Sequence, residues 1–390
     1  MTLRIKMRGL GLSVLSLSFN LGGLLAGALL ALYLDVFSAT PWALLLFPGV
    51  LSVRGAIGGV LSGRLSTALH LGVVRPRFTE NTKAFSTILS AIVALTLGSS
   101  LLMGLASSLF NTVLLGAPAV DGLAILAVSV GTMGLSLVFV SPITVGIAVL
   151  AFKRQLDPDV IVYPVVSTVA DVLVTLCYLL MLQGFLASPV LIGVFDLVCV
   201  LVMCSIAIKN RKEAEFVKTI KEFSLTLVLV AIIVNVTGSL LGKVSQGIRG
   251  RPELYVVYPA LIDTVGDVGS IVGSTATTKL ALGTMGSSFA CIKQHLAEIG
   301  GAWSASLLLF TLYAILAASL TASREVGRLI LPFFTTNLIA VSCMVIVSFA
   351  VAIVTQKRGW DPDNFVIPIE SALADAVTTG SLLLALTMMT

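Results

Sequence analysis

The chain of 390 residues is 57% hydrophobic and only 11% charged, with a mean hydropathy of +1.07. A soluble protein carries about a quarter charged residues, and here the deficit runs along the whole length, which excludes a sizeable soluble domain. The net charge of +5 is too modest to argue for nucleic acid as a partner, and in a membrane protein basic residues report topology first.

Residues 9–34 contain no charge and follow Arg4, Lys6 and Arg8. The run is about twice the hydrophobic core of a signal peptide and long enough to span a bilayer, so it reads as a retained first transmembrane helix. Further apolar segments predict spans over 42–71, 84–115, 122–152, 160–184, 188–208, 223–242, 254–282, 300–323, 329–356 and 364–389. The expected fold is therefore an all-α polytopic membrane protein with about 11 transmembrane helices. With the N-terminus in the cytoplasm, sixteen Lys and Arg fall on the inner side and five on the outer: Lys243, Arg249, Arg251, Arg324 and Arg328. That bias places the N-terminus inside and the C-terminus outside a plasma membrane. Cys177, Cys199, Cys204, Cys291 and Cys343 lie in apolar surroundings without paired spacing and read as buried thiols.

Two segments recur in order. Pro48, Gly55 and Gly58 match Pro259, Gly266 and Gly269, and each run continues into a hydroxyl pair, Ser66-Thr67 or Thr277-Thr278. Asp157-Pro-Asp159, Pro164 and Asp171 match Asp361-Pro-Asp363, Pro368 and Asp375 at identical internal spacing. The chain thus divides into a first five-helix repeat (1–187), a linker helix with a cytoplasmic loop (188–221) and a second five-helix repeat (222–390). An odd repeat copied directly would come out inverted. The extra span restores the orientation, so the repeats are expected to be parallel about an axis along the membrane normal. Such an internal pseudo-dimer removes the need for a second chain without excluding a homo-oligomer.

Carboxylates at bilayer depth are the most informative residues, since a central Asp costs about 2.5–3.5 kcal/mol on insertion scales and needs a partner or a purpose. Asp171 and Asp375 share a repeat position, and the pseudo-axis is expected to bring them face to face around a divalent cation. Magnesium sheds water reluctantly, so a few carboxylates around a hydrated ion suit it. Ser167 and Ser371 stand one helical turn before those acids. Asp263 and Asp267 share one helical face, where the first repeat has Ser52 and Ala56; Glu370 replaces Val166. The expected metal set is Asp171, Asp375, Asp263, Asp267, Glu370, Ser167 and Ser371. The competing structural reading bonds the paired acids to backbone, or to Arg54 and Lys279. Pro48 and Pro259 would free carbonyls toward a cavity. Asp196 has no counterpart and reads as structural or interfacial, and His70 and His295 as interfacial residues rather than ligands. Asp157, Asp159, Asp361 and Asp363 cap helices and can funnel cations.

At these residues the sequence resembles the MgtE-type magnesium transporters, particularly the eukaryotic-style solute-carrier relatives with two fused MgtE membrane domains. The carrying segments are 48–67, with Arg64-Leu-Ser-Thr67, then 259–278, 157–171 and 361–375. The resemblance implies transport of Mg2+ with no resident cofactor, and places Asp171 and Asp375 on the family's pore aspartate. It departs from the family's Gly-Asn signature, whose Asn is Ala56 in one half and Asp267 in the other, with Gly58 and Gly269 two positions on. The cytoplasmic regulatory domains of the bacterial proteins have no counterpart here, which implies gating by other means.

Two other functional classes compete. A proton- or sodium-coupled carrier of an organic solute would want aromatic or basic contacts at the midplane, yet aromatics are 7% of the chain. An intramembrane aspartyl protease would use two membrane aspartates. Gly266-Asp267 and Pro259-Ala-Leu261 superficially resemble its motifs, but Thr264 stands where a first Gly is required and the order is wrong. The expectation is a transporter and not an enzyme.

Overall fold

The computed structural model describes residues 11, 13–14, 17–70, 72–115, 118–154, 158–247, 252–281, 283–320, 326–358 and 366–388. Among them every regular element is helical, as hydrocarbon demands of a chain whose backbone groups must be satisfied within each segment. A 3-10 turn at Phe19–Gly22 leads into α1 (Gly23–Leu32), followed by α2 (Leu34–Ala39), α3 (Pro41–His70), α4 (Lys83–Leu115), α5 (Ala119–Lys153) and α6 (Pro158–Ala187). Then come α7 (Pro189–Asn210), α8 (Ala214–Gly247), α9 (Pro252–Ala281), a second 3-10 turn at Phe289–His295, α10 (Leu296–Leu320), α11 (Val326–Lys357) and α12 (Val366–Thr387).

Nine helices, counted over the described residues, are long and apolar enough to cross a membrane. The protein is an all-α polytopic membrane protein. The expected span 223–242 lies within the single helix α8. Within the expected first span, Phe19–Gly22 is a 3-10 turn and α1 ends at Leu32, followed by Tyr33 at φ −109°. Among the described residues its apolar helical stretch runs Phe19–Leu32.

The chain forms two compact units, Asp35–Gly238 and Met1–Leu34 together with Ser239–Thr390. The sequence repeat is visible inside each. In the first unit α3 ends on Gly72 at φ +68°, with Gly72 N–H donating to Leu69 carbonyl (3.1 Å) and Val73 N–H to Ala68 carbonyl (3.0 Å). In the second, α9 ends before Gly283 at φ +67°, with donations to Leu280 (3.1 Å) and from Thr284 to Lys279 (3.0 Å). Both ends are Schellman caps, whose left-handed residue favours glycine.

The cores agree position by position. Leu65, Leu69, Val74, Val145, Ala148 and Val149 cluster in the first unit, and their repeat equivalents Ala276, Leu280, Met285, Phe349, Ala352 and Ile353 cluster in the second. Val166 belongs to the first cluster, whereas its equivalent in the second unit is Glu370.

First helices pack outside their own repeats. In the second unit, Gly23 and Gly27 of α1 lie so close to α9 that a Cβ on Gly27 would overlap the Val256 carbonyl, and one on Gly23 would stand 2.9 Å from the Ala260 nitrogen. In the first unit, Gly238 of α8 lies equally close to α3, where a Cβ would overlap the Leu45 carbonyl. These are equivalent contacts, since Gly27 and Gly238, like Leu45 and Val256, are 211 positions apart. Small residues let the backbones meet, as membrane helix packing requires.

The linker helix α7 is peripheral to its unit, with only 6% of its apolar window buried. It leans on α5, where Gly131 accommodates Asp196 and Gly134 accommodates Cys199. Asp196 is half-buried and its Oδ1 has no partner. The expectation of uniformly buried thiols is corrected: Cys177 is buried, but Cys204 and Cys343 are exposed on apolar helices, a position that costs a weakly polar thiol little in lipid.

Candidate ion-binding site

The polar face of α9 is built around Pro259, which removes a helical N–H donor. One turn on come Asp263 and Asp267, both half-buried. Asn20, 2% exposed, donates its amide to Asp267 Oδ2 at 2.9 Å and stands 3.5 Å from Thr264 Oγ1. Thr264 shares a 2.8 Å hydrogen bond with the Tyr313 hydroxyl of α10. The close seating of α1 on α9 through Gly23 and Gly27 is what carries Asn20 to Asp267 across 247 positions of sequence.

Asp375 of α12 is buried, and Thr379 donates to its backbone carbonyl at 2.6 Å. Thr379 therefore accepts from the Tyr258 hydroxyl, 2.8 Å away on α9. At Gly266 a Cβ would lie 3.4 Å from Ala374 Cβ, so α9 and α12 cross where Asp267 and Asp375 each follow the contact residue. Glu370 is fully buried on α12. Ser270 of α9 and Ser348 of α11 flank its carboxyl, but neither Glu370 oxygen nor the Ser348 hydroxyl reaches hydrogen-bond geometry. Ser348 comes this near because Gly269 offers only 3.0 Å between a would-be Cβ and its hydroxyl.

The first unit presents a different chemistry at the same positions. Asp171 on α6 is buried, and Thr175 donates to its carbonyl at 2.7 Å, as Thr379 does to Asp375. Ser167 is half-buried. Around it the equivalents of Asp263, Asp267 and Glu370 are the buried Ser52, Ala56 and Val166. Of the basic residues in the structural reading, Lys279 pairs with Glu298 at 2.8 Å, and Arg54 lies 3.4 Å from Ser141.

The second unit thus gathers Asp263, Asp267, Glu370, Ser371 and Asp375, while Ser167 and Asp171 belong to the first. Among the described residues no three His, Cys, Asp or Glu side chains converge as a metal cluster. Asp157, Asp361 and Asp363 lie outside the described residues, as do the side chains of Asp159, His70, Ser66, Thr67, Thr277 and Thr278.

His295 is fully buried within the protein. Its Nε2 donates to the Val272 carbonyl at 3.1 Å, which leaves Nδ1 to accept from Lys279 at 3.1 Å. Sequence reading missed Asn20, Thr264, Tyr258, Tyr313, Ser270 and Ser348. Asn20 and the two tyrosines could have been flagged as polar groups inside apolar runs.

The sequence model of the MgtE divalent cation transporter family matches residues 47–181 and 258–385. The chain belongs to the MgtE family of divalent cation transporters. Both matched segments of this MgtE chain begin and end at repeat-equivalent positions, Phe47 with Tyr258 and Met181 with Ala385, so it carries two MgtE-type membrane domains. MgtE proteins are transporters and not enzymes at the level of the family. No curated protein matches the chain. Among solved structures the eukaryotic MATE transporter AtDTX14 is similar at 11% identity, covering 99% of this chain and 96% of its own, with a TM-score of 0.21 that carries no argument.

The repeat supplies a test of Glu370. Replacing it with Val, the residue of the first unit, should stabilise the purified protein by about 1–3 kcal/mol, the scale of burying an unpartnered polar group. Thermal unfolding in detergent measures it; a destabilised Glu370→Val protein would show that the carboxyl is held by bonds made in the folded state.

Proposed function

We propose that this MgtE protein moves Mg2+ across the plasma membrane, with the N-terminus in the cytoplasm and the C-terminus outside. The repeat-related Asp171 and Asp375 serve the cation in their respective units, with Ser167 and Ser371 one turn away. Asp263, Asp267 and Glu370 make the second unit the stronger cation-binding half. The observation that carries this reading is the concentration of four carboxylates on α9 and α12 of one unit. Lys279 pairs with Glu298, and Arg54 lies against Ser141.

Several acids at bilayer depth repel one another and cost insertion energy. A divalent cation offsets both terms at once, which a neutral solute does not. Carboxylates and serine hydroxyls make a hard-oxygen set suited to magnesium, which keeps part of its water.

Uptake of Mg2+ into proteoliposomes tests the reading, with Ca2+ and Mn2+ as competitors. Saturable Mg2+ flux down an imposed gradient, inhibited less by Ca2+ than by unlabelled Mg2+, is the expected result. Wild-type protein that passes no divalent cation under any gradient would overturn it.

A further inference from the structure

Arg54 lies on α3 at the heart of the first unit, 2% exposed. Its Nη2 is 3.4 Å from Ser141 Oγ on α5, a long contact, and its Nε and Nη1 have no partner. No carboxylate of the described residues pairs with it. Its remaining electrostatic neighbour is the Cys177 thiol of α6. A guanidinium cannot shed its proton in a protein, so the charge stays, and an uncompensated charge buried at this depth costs several kcal/mol.

A second observation lies on the same helix face. Gly58, one turn beyond Arg54, is buried, yet a Cβ built on it would meet no atom within 4 Å. At its repeat equivalent, Gly269, the same Cβ would meet Ser348 at 3.0 Å and Met344 at 3.2 Å. The second unit also replaces Arg54 with Val265 and Ser141 with Val345, both buried and apolar. Charge, open donors and room therefore occur together in one repeat and are absent together from the other.

We propose that the first unit binds a small monovalent anion, of the halide class, at Arg54. The two open N–H groups and the Ser141 hydroxyl supply donors, and the single positive charge matches a single negative one. Water would satisfy the donors but leave the charge uncompensated. Phosphate-sized anions demand more donors and more space than one guanidinium and one serine beside Gly58 provide. The bound anion cancels a fixed positive charge inside a protein that must pass cations, and it does so whichever divalent ion is carried.

The test is thermal unfolding of the purified full chain in detergent, without divalent ions, in sodium chloride, bromide or gluconate at constant ionic strength. The wild type should gain a saturable rise in Tm with chloride and bromide over gluconate. In Arg54→Met the halide dependence should vanish; Arg54→Lys should retain it in weakened form. Gly58→Val keeps the charge but takes up the room beside it, and should raise the chloride midpoint by about tenfold, the equivalent of one weakened charge-assisted hydrogen bond. Equal Tm in chloride and gluconate for the wild type overturns the proposal. So does a halide shift that persists in Arg54→Met, or, where that variant does not fold, a chloride midpoint unmoved in Gly58→Val.

Discussion

Asp375→Asn should lower magnesium uptake into proteoliposomes by at least about tenfold, because a charge-assisted contact is worth about 1.5–3 kcal/mol and 1.4 kcal/mol is a factor of ten. The substitution removes charge with almost no change in shape. The bonds from Tyr258 to Thr379 and from Thr379 to the Asp375 carbonyl do not involve the substituted group and survive the change. Asp171→Asn should behave alike, since Thr175 holds the Asp171 carbonyl at 2.7 Å in the same way. Folding is checked by thermal unfolding and flux by tracer uptake, each beside the wild type. Loss of flux in both variants supports a cation path that uses both repeats. Unchanged flux in both, with folding intact, would reduce the paired aspartates to structural residues and move the path to Asp263 and Asp267. Loss in Asp375→Asn alone would confine ion binding to the second unit, where the other intramembrane carboxylates of the proposed set lie.

That last outcome has a physical basis in the asymmetry of the repeats. At equivalent positions the first unit has Ser52, Arg54, Ala56 and Val166 where the second has Asp263, Val265, Asp267 and Glu370. The fold is repeated, with matching caps at Gly72 and Gly283 and matching apolar clusters, while the charge is not. The packing tolerates either chemistry: Val166 fills with apolar contacts the place that Glu370 fills with a buried acid.

Much of this was legible in sequence because bilayer physics writes it in long uncharged runs, and because two ordered motifs at matching spacing expose the repeat. The Asp375 and Glu370 positions could be read the same way, as costly acids in apolar segments. What could not be read was partnership. Asn20 meets Asp267 only because α1 seats on α9 of the other repeat, and nothing in the run 9–34 distinguishes Gly23 and Gly27 from ordinary small residues. His295 looked interfacial because hydropathy places it near a span end, whereas Thr275, Lys279 and the Val272 carbonyl draw it into a buried network. Ser270 and Ser348 flank Glu370 from two different helices, a convergence that no single segment displays.

Gly27→Val and Gly238→Val should each abolish most of the folded protein. In both cases the new Cβ would overlap a backbone carbonyl, Val256 or Leu45, and backbone cannot step aside as a flexible side chain can. Overpacking commonly costs about 1–3 kcal/mol where side chains can adjust, and here whole helices must part. Gly193→Ala and Gly300→Ala are the matched controls, since a Cβ at either meets nothing within 4 Å, and a helical Gly→Ala change there should be neutral or stabilise by up to about 1 kcal/mol. The monodisperse fraction and Tm in detergent report the packing; near-wild-type values for both valine variants would refute the exchanged seating of α1 and α8. The two variants should then separate in function. Parting α1 from α9 withdraws Asn20 from Asp267, whereas the position equivalent to Asn20 in the other contact is the buried Ala231, which holds no acid. Protein recovered from milder Gly27→Ala should therefore take up Mg2+ more slowly than protein recovered from Gly238→Ala at equal Tm. Equal uptake at equal Tm would mean that the Asn20–Asp267 hydrogen bond steadies the fold and takes no part in holding the ion.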